Sequence, residues 1–364
     1  MTRNIQPDPY EALGADDWWY PEVLTGDPSG ARGPVLSEAQ LSRFHNDGFI
    51  VVTGLWPAET IDVATAEART LHPAEQIIRD ARAGKYHRTR TEMPWTQQGD
   101  AAPDATLNHM TIHPRALHAI AQLLGSDPID IRLSQSHVIA KHGQLIDRPG
   151  HPSDGTISGD QDIHVDYGNN TLMVPPRTAK PEAVACLCYY CDVGSCGGAT
   201  HFAKALPGEL TSYNPDSFNP PNFVAGTKNG SAAAATGPRS PENTARLYHE
   251  EKPVHYQPGT CILYKLNTWH RGTPAALGKV RHSHHHVWRH RHAEWVNWQS
   301  LAPAMAAMPT RFLSDLSVLQ RTVLGFAPPG DVYWTDETVD AVGQRYPEMD
   351  MTPYRAAMAR TLAV

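Results

Sequence analysis

Three side chains in this sequence could hold one metal ion between them: His164, Asp166 and His270. The first two lie in Gln161-Asp162-Ile163-His164-Val165-Asp166-Tyr167. Side chains alternate along an extended segment, so a His-x-Asp places an imidazole and a carboxylate on one face, within reach of a single ion. Alone, such a pair reads as an ordinary surface or turn pair. Support comes much later in the chain. Pro258-Gly259-Thr260 is a turn signal, and Cys261-Ile262-Leu263-Tyr264 is an apolar strand that runs on through Asn267-Thr268-Trp269 to His270. Two histidines and one carboxylate on one face leave adjacent coordination positions open. That is the facial triad suited to non-haem iron(II) and O2.

Arg281 supplies a further component, in the period-two run Lys279-Val280-Arg281-His282-Ser283. A guanidinium pointing into a sandwich is costly unless it meets an anion. Its fork fits a carboxylate through two parallel hydrogen bonds. A 2-oxo diacid would chelate iron at one end and present such a carboxylate at the other. A structural salt bridge is the competing reading for Arg281.

These residues need a scaffold, and the hydrophobic periodicity outlines one. Ser37 and Gln40 form a capping box, Leu41 and Phe44 share a face, and Gly48 ends a helix. Phe49-Ile50-Val51-Val52 reads as a buried strand, and residues 57–72 as a helix. A helix over 114–124 carries Leu117, Ile120, Ala121 and Leu124 on one face, with Gly125 as its stop. From 129 to 141 the period becomes two, with Ile129, Ile131 and Leu133 alternating with polar residues. Further strands are predicted at 183–190, 261–266 and 279–288, and a helix at 310–324 through Leu313, Leu316 and Leu319. Helices at both ends with strands between them predict one α+β domain, mainly β, around a β-sandwich. Residues 1–35, rich in Pro, Gly and Asp, read as an irregular arm. The sandwich domain is expected over 36–300, with long loops at 142–160 and 214–245, and 301–364 as a helical extension packed on the same domain.

The chain has 364 residues, a formal charge of −7, and 40% hydrophobic and 19% charged residues. It can bury a sizeable core. Mild acidity argues against a nucleic-acid partner, since phosphate backbones need a positive field. No apolar run is long enough to span a membrane, and the N-terminus lacks a secretory signal. A cytoplasmic enzyme acting on a small molecule is the class that fits, and nothing in the sequence sets an oligomeric state. Five cysteines, an odd number, do not make a disulfide framework. Cys188-x-x-Cys191 has no second pair at zinc-finger spacing. Cys186 and Cys188 fall in an apolar run and read as small core residues. The stretch from His282 to His292 is rich in histidine and could store or sense metal. It continues the strand of Arg281, so most of these histidines read as strand or rim residues, one or two of them facing a pocket. Trp269, Tyr167 and Trp288 are candidate pocket walls.

Taken in order, these segments resemble the phytanoyl-CoA dioxygenase family of iron(II)/2-oxoglutarate oxygenases. The resemblance spans roughly residues 36–290. It runs from Leu36-Ser37-Glu38-Ala39-Gln40 and Asp47-Gly48-Phe49-Ile50-Val51-Val52, through Gln135 to Lys141 and His164-Val165-Asp166. It continues through Gly197-Gly198-Ala199-Thr200 and Leu206-Pro207-Gly208 to Trp269-His270 and Arg281. It implies a double-stranded β-helix, a cupin-like jelly roll, with iron(II) on His164, Asp166 and His270. It also implies 2-oxoglutarate as co-substrate on Arg281, O2 as oxidant, and an amide contact from Gln135. The family often carries a serine two residues after the second histidine. Here that position is Gly272, and the following Thr273 is the residue expected to supply the hydroxyl. The usual Ser-His after Pro-Gly is also missing from the stretch ending Leu206-Pro207-Gly208. In related halogenases a small residue replaces the carboxylate. Asp166 therefore favours hydroxylation or another dioxygenase outcome, on a secondary metabolite or an amino-acid-like compound. Two alternatives stay open: a non-catalytic cupin-like metal-binding or sensor module, and a zinc hydrolase on the same ligands, for which no general base stands at metalloprotease spacing.

Overall fold

The first helix, α1 (Glu38–Asp47), begins where its capping box predicts. The Gln40 amide donates to Ser37 Oγ at 3.3 Å, and the Ser37 amide donates to Gln40 Oε1 at 2.9 Å. Gly48 ends it in the left-handed region at φ 90°, where a side chain would be strained. The computed structural model describes residues 10, 12–27, 34–82, 88–92, 105–111, 113–143, 161–166, 181–205, 223–224, 241–290, 292–293, 314, 318, 321 and 326–361.

Two helices follow the expected spans closely: α2 at Ala58–Leu71 and α5 at Pro114–Leu124, with α3 (Ala74–Arg82) and α4 (Thr106–Met110) between them. Twelve strands are described. They are β1 (Glu22–Val23), β2 (Phe49–Thr53), β3 (Arg88–Glu92), β4 (Ile131–His142), β5 (His164–Val165) and β6 (Ala183–Tyr189). The rest are β7 (Thr200–Phe202), β8 (Phe223–Val224), β9 (Lys252–Pro253), β10 (Cys261–Lys265), β11 (His270–Gly272) and β12 (Val280–His290). They form a seven-stranded sheet, β1-β2-β10-β6-β12-β4-β3, and a five-stranded sheet, β8-β5-β11-β7-β9.

From β4 onward the chain passes between the sheets. Strands β4, β6, β10 and β12 pair in the large sheet, and β5, β7, β9 and β11 in the small one, all antiparallel. This is the double-stranded β-helix, and the α+β class expected from the sequence is the class observed. The expected loop at 142–160 lies beyond the described residues from 144 on. So does most of 214–245, of which 223–224 is strand and Pro241 begins a helix reaching Glu250. Most of 310–324 also lies outside the described residues. The N-terminal segment is not loose where described. β1 pairs with β2, and the Trp19 indole donates to the Phe202 carbonyl at 3.0 Å.

Strand alternation sorts β12 into two faces. Arg281, His285 and Val287 face the interior between the sheets. His282, His284, His286 and Trp288 face the helices instead. His282 Nε2 donates to the His72 carbonyl at 2.8 Å, and Trp288 packs with Phe44, Ile61 and Ile120. The Trp288 indole donates to the Thr111 carbonyl at 3.0 Å, so this residue is a core anchor and not a pocket wall. The five cysteines are buried and unpaired, and Cys186, Cys188 and Cys261 belong to the helix-side core.

The C-terminal helices Asp336–Arg345 and Thr352–Thr361 cover the outer face of the small sheet. Phe326, Trp334, Val342 and Tyr346 pack there with Ile163, Val165 and Trp269. Trp269 thus lies behind the metal-ligand candidates, and Tyr167 lies outside the described residues.

His284 generates a test of the packed histidine face. Ser136 Oγ lies 2.8 Å from its Nε2 and the Tyr190 hydroxyl 3.0 Å from its Nδ1. Burial lowers its pKa to about 3, from 6.5 in the unfolded chain. Below pH 6.5 the unfolded chain binds a proton that the folded chain refuses. Stability associated with His284 is therefore full above pH 6.5 and falls continuously as the pH drops toward 3. Between pH 7 and pH 5 this amounts to about 2 kcal/mol. Urea unfolding at those two pH values should show His284→Gln losing about that much less stability than the parent. Equal losses in the two proteins would contradict it.

Candidate active site

His164 and His270 come together because β5 and β11 are antiparallel neighbours and these two residues are directly opposite in register. Their ring centroids are 4.6 Å apart. Each ring is fixed in the same way. His164 Nδ1 donates to the Asp162 carbonyl at 2.8 Å, and His270 Nδ1 donates to the Thr268 carbonyl at 2.9 Å. A carbonyl can only accept, so each Nδ1 carries a proton and Nε2 is the nitrogen turned toward the site. Both Nε2 atoms point at one carboxylate: His164 Nε2 is 3.8 Å from Asp166 Oδ1, and His270 Nε2 is 3.4 Å from Asp166 Oδ2. The three ligand atoms lie within 4.8 Å of one another. Burial lowers the His270 pKa to about 4, against the pull of Asp166, so its imidazole is neutral at pH 7, as coordination requires.

A residue not singled out from the sequence orients Asp166. The Tyr264 hydroxyl donates to Asp166 Oδ2 at 3.1 Å. Burial first, and then the neighbouring carboxylate, holds its pKa well above the ordinary tyrosine value, so it remains a donor. Behind His270, Arg271 forms a bidentate pair with Glu251 at 2.7–2.9 Å, and His201 Nδ1 is 3.3 Å from the same carboxylate. Burial opposes ionisation of Glu251, but hydrogen bonds from His201 and Arg271 prevail and lower its pKa. This buried pair ties β11 to the segment before β9.

The large sheet supplies the opposite wall of the cavity, which Gln135, His137, Lys141, Arg281 and His285 line together with the triad. Arg281 is 4% exposed. One of its terminal nitrogens donates to the Gly198 carbonyl, its guanidinium lies 5.6 Å from the Tyr189 ring centre, and its Nε has no partner among the described residues. Lys141 is 5% exposed and stands directly opposite Arg281 in register, its Nζ donating to the Thr273 carbonyl at 2.8 Å. Lys141 was within reach of sequence reasoning, because Gln135, 137, 139 and 141 share a strand face. No acidic partner of Arg281 occurs among the described contacts, which disfavours the salt-bridge reading. Two buried cations side by side, one with an orphaned donor, fit an anion between them.

Gln135 lines the cavity, its amide 3.2 Å from His137 Nδ1. Thr273 is placed differently. Its hydroxyl donates to the Ala199 carbonyl at 2.7 Å and meets the Tyr10 hydroxyl at 3.1 Å, so it is committed within the protein. The missing side chain at Gly272 has a local explanation. A Cβ there would lie 2.6 Å from Gln161 Oε1, which accepts the Gly272 amide at 2.9 Å. The Gln161 side chain occupies the space that a serine would need.

No family model matches the chain, and no curated protein matches it. Similar solved structures include the epimerase SnoN in complex with Fe3+, alpha ketoglutarate and nogalamycin RO. It is 19% identical over 77% of this chain and 89% of that one, with a TM-score of 0.46. EctD from S. alaskensis with 2-oxoglutarate and 5-hydroxyectoine is 15% identical over 74% and 83%, at 0.45. HygX from Streptomyces hygroscopicus with nickel and 2-oxoglutarate bound is 14% identical over 70% and 88%, at 0.43.

Tyr264→Phe removes the hydrogen bond to Asp166 and leaves the ring packing in place. Outer donors of this kind contribute roughly 10–100-fold to metal affinity. Titration with iron(II) or cobalt(II) should show at least a tenfold weaker Kd in this variant. Unchanged affinity would mean that Tyr264 does not hold the carboxylate.

Proposed function

We propose that this protein is an iron(II)/2-oxoglutarate-dependent oxygenase of the phytanoyl-CoA dioxygenase type, oxidising a C–H bond of a small organic molecule. The observation that carries the reading is the pairing of two features in one cavity. A His-Asp-His set turns both Nε2 atoms toward one carboxylate, and it shares the cavity with buried Lys141 and with buried Arg281, whose Nε has no partner among the described residues. A metal-binding module would use the first feature and has no need of the second.

His164, Asp166 and His270 would hold iron(II), two neutral imidazoles and one carboxylate on one side of the ion. Arg281 would take the distal carboxylate of 2-oxoglutarate, with Lys141 adding charge beside it. Gln135 stands on the same face and could donate its amide. When bound, iron(II), 2-oxoglutarate and O2 supply the oxidising chemistry. The protein's own work is geometric. The Asp162 and Thr268 carbonyls fix the imidazoles, Tyr264 fixes the carboxylate, and Leu187, Leu266 and Val287 line the cavity with apolar surface that excludes water. No helix among the described residues is long and apolar enough to cross a membrane. Five free thiols suit the reducing cytoplasm.

The reading is checked by adding iron(II) and 2-oxoglutarate to the protein without oxygen and recording the visible charge-transfer absorption. The band should form in the parent and be lost in His164→Ala. Arg281→Gln should raise the 2-oxoglutarate concentration for half-maximal band at least a hundredfold, the loss of a bidentate buried contact at about 3 kcal/mol. A band equally strong in His164→Ala would overturn the ligand assignment.

A further inference from the structure

We propose that Cys191 and Cys196 form a redox switch: hydrogen peroxide joins them in a disulfide, and the disulfide loosens the Arg281 anchor. The second half rests on the 2-oxoglutarate reading, and the first half stands without it.

The local fold brings the two thiols together. Asp192 caps one helical turn, Val193–Cys196, by accepting the Ser195 amide at 2.8 Å, and the Cys196 amide donates to the Asp192 carbonyl at 3.1 Å. Both sulfurs rest on strand β12. Cys191 Sγ donates to the His282 carbonyl at 3.9 Å, and Cys196 Sγ donates to the Val280 carbonyl at 3.3 Å. Those carbonyls belong to residues two apart, about 6.6 Å along the strand. The thiols are close enough for each to shift the ionisation of the other.

Access separates this pair from the other three cysteines. Cys191 and Cys196 line a cavity with Arg69, Glu75, Ser195 and Pro258, all four of them exposed, so a small oxidant can enter from solvent. Cys186, Cys188 and Cys261 are no more than 1% exposed and pack in the helix-side core.

Ionisation makes Cys196 the attacking sulfur. Its interaction with Cys191, and then the Ser195 hydroxyl 3.6 Å away, lower its pKa to about 7 despite burial, whereas that of Cys191 is raised. The thiolate is the nucleophile. Cys196 attacks one peroxide oxygen, the O–O bond breaks, and the departing hydroxide takes up a proton as water. Cys196 is then a sulfenic acid. Cys191 attacks its sulfur, the S–O bond breaks, and the hydroxide leaves with the Cys191 proton as a second water. Two thiols lose two electrons, and one peroxide gains them.

Position gives the bridge its consequence. Val280 and His282 flank Arg281, and two residues after Cys196 comes Gly198, whose carbonyl accepts from the Arg281 guanidinium. Oxidation removes both S–H donors from the carbonyls on either side of Arg281. It also draws the two sulfurs to about 2.05 Å, and the segment leading to Gly198 is pulled with them.

The test treats the full chain with a small molar excess of hydrogen peroxide, removes the peroxide, unfolds the protein with a thiol alkylator and reads the peptides by mass. Cys191 and Cys196 should be joined and the other three cysteines alkylated, and dithiothreitol should restore all five thiols. In Cys191→Ser, dimedone should label Cys196. Reduced and oxidised protein are then loaded with iron(II) without oxygen and titrated with 2-oxoglutarate. The oxidised protein should need at least threefold more for the half-maximal visible band, and peroxide should leave the requirement of Cys196→Ser unchanged. If that variant does not fold, reversal by dithiothreitol in the parent gives the same reading, since methionine sulfoxide does not respond to it. Five alkylated cysteines after peroxide, a bridge between other cysteines, or an unchanged requirement in the bridged protein overturns the proposal. If the reduced protein gives no band, the oxygenase reading falls, and the mass measurement alone decides whether the thiol pair stands.

Discussion

Two histidines facing each other across a single register pair set the terms for this molecule. His164 and His270 must each present Nε2 inward, and each does so because its Nδ1 is bonded to a carbonyl two residues upstream. That geometry requires short, regular strands on the small sheet. It also forces the flanking residues Ile163, Val165 and Trp269 to the outer face, where they would be exposed without cover. The C-terminal helices provide that cover, so the terminal segment packs behind the candidate metal site. Tyr264 reaches across from the large sheet to hold Asp166, which makes the spacing of the two sheets part of the same arrangement.

The large sheet obeys a different constraint, the cost of burying positive charge. Arg281 and Lys141 share a register position and both are almost wholly buried. Like charges directly opposite on a sheet are destabilising. Carbonyls of Gly198 and Thr273 satisfy some donors, but the Arg281 Nε has no partner among the described residues. Under the proposed reading this wall takes the distal carboxylate of the co-substrate, and its donors are already in place for it. The opposite face of β12 manages polarity differently. His284 is buried neutral between Ser136 and Tyr190, and pays for its burial only when the pH falls.

Much of this could be read from residue order. The capping box at Ser37, the stop at Gly125 and the period-two run through Arg281 located their elements within a residue or two. His-x-Asp, His270 and Arg281 indicated three parts of the cavity, but the strand expected to run from Cys261 to His270 is two: β10 stops at Lys265 in the large sheet, and after a turn His270 begins β11 in the small one. What periodicity could not show is contact between distant segments. Tyr264 reads as one more apolar strand residue, and nothing local connects its hydroxyl to Asp166. Gln161 filling the space at Gly272 is likewise a tertiary event, as is the engagement of Thr273 by Ala199 and Tyr10. The histidine run illustrates the same limit. Alternation implied that its members divide between two faces, but only the sheet order shows that His285 meets the cavity while His282, His284 and His286 lie beneath helices.

The central claim is that His164, Asp166 and His270 form a working oxygenase site with Arg281, not a closed metal site. The most direct measurement is succinate formed from 2-oxoglutarate under air, with iron(II) and without added substrate. The account predicts slow, iron-dependent succinate release by the parent protein and none above background in His270→Ala. No succinate from the iron-loaded parent, or equal release from the two proteins, would contradict it.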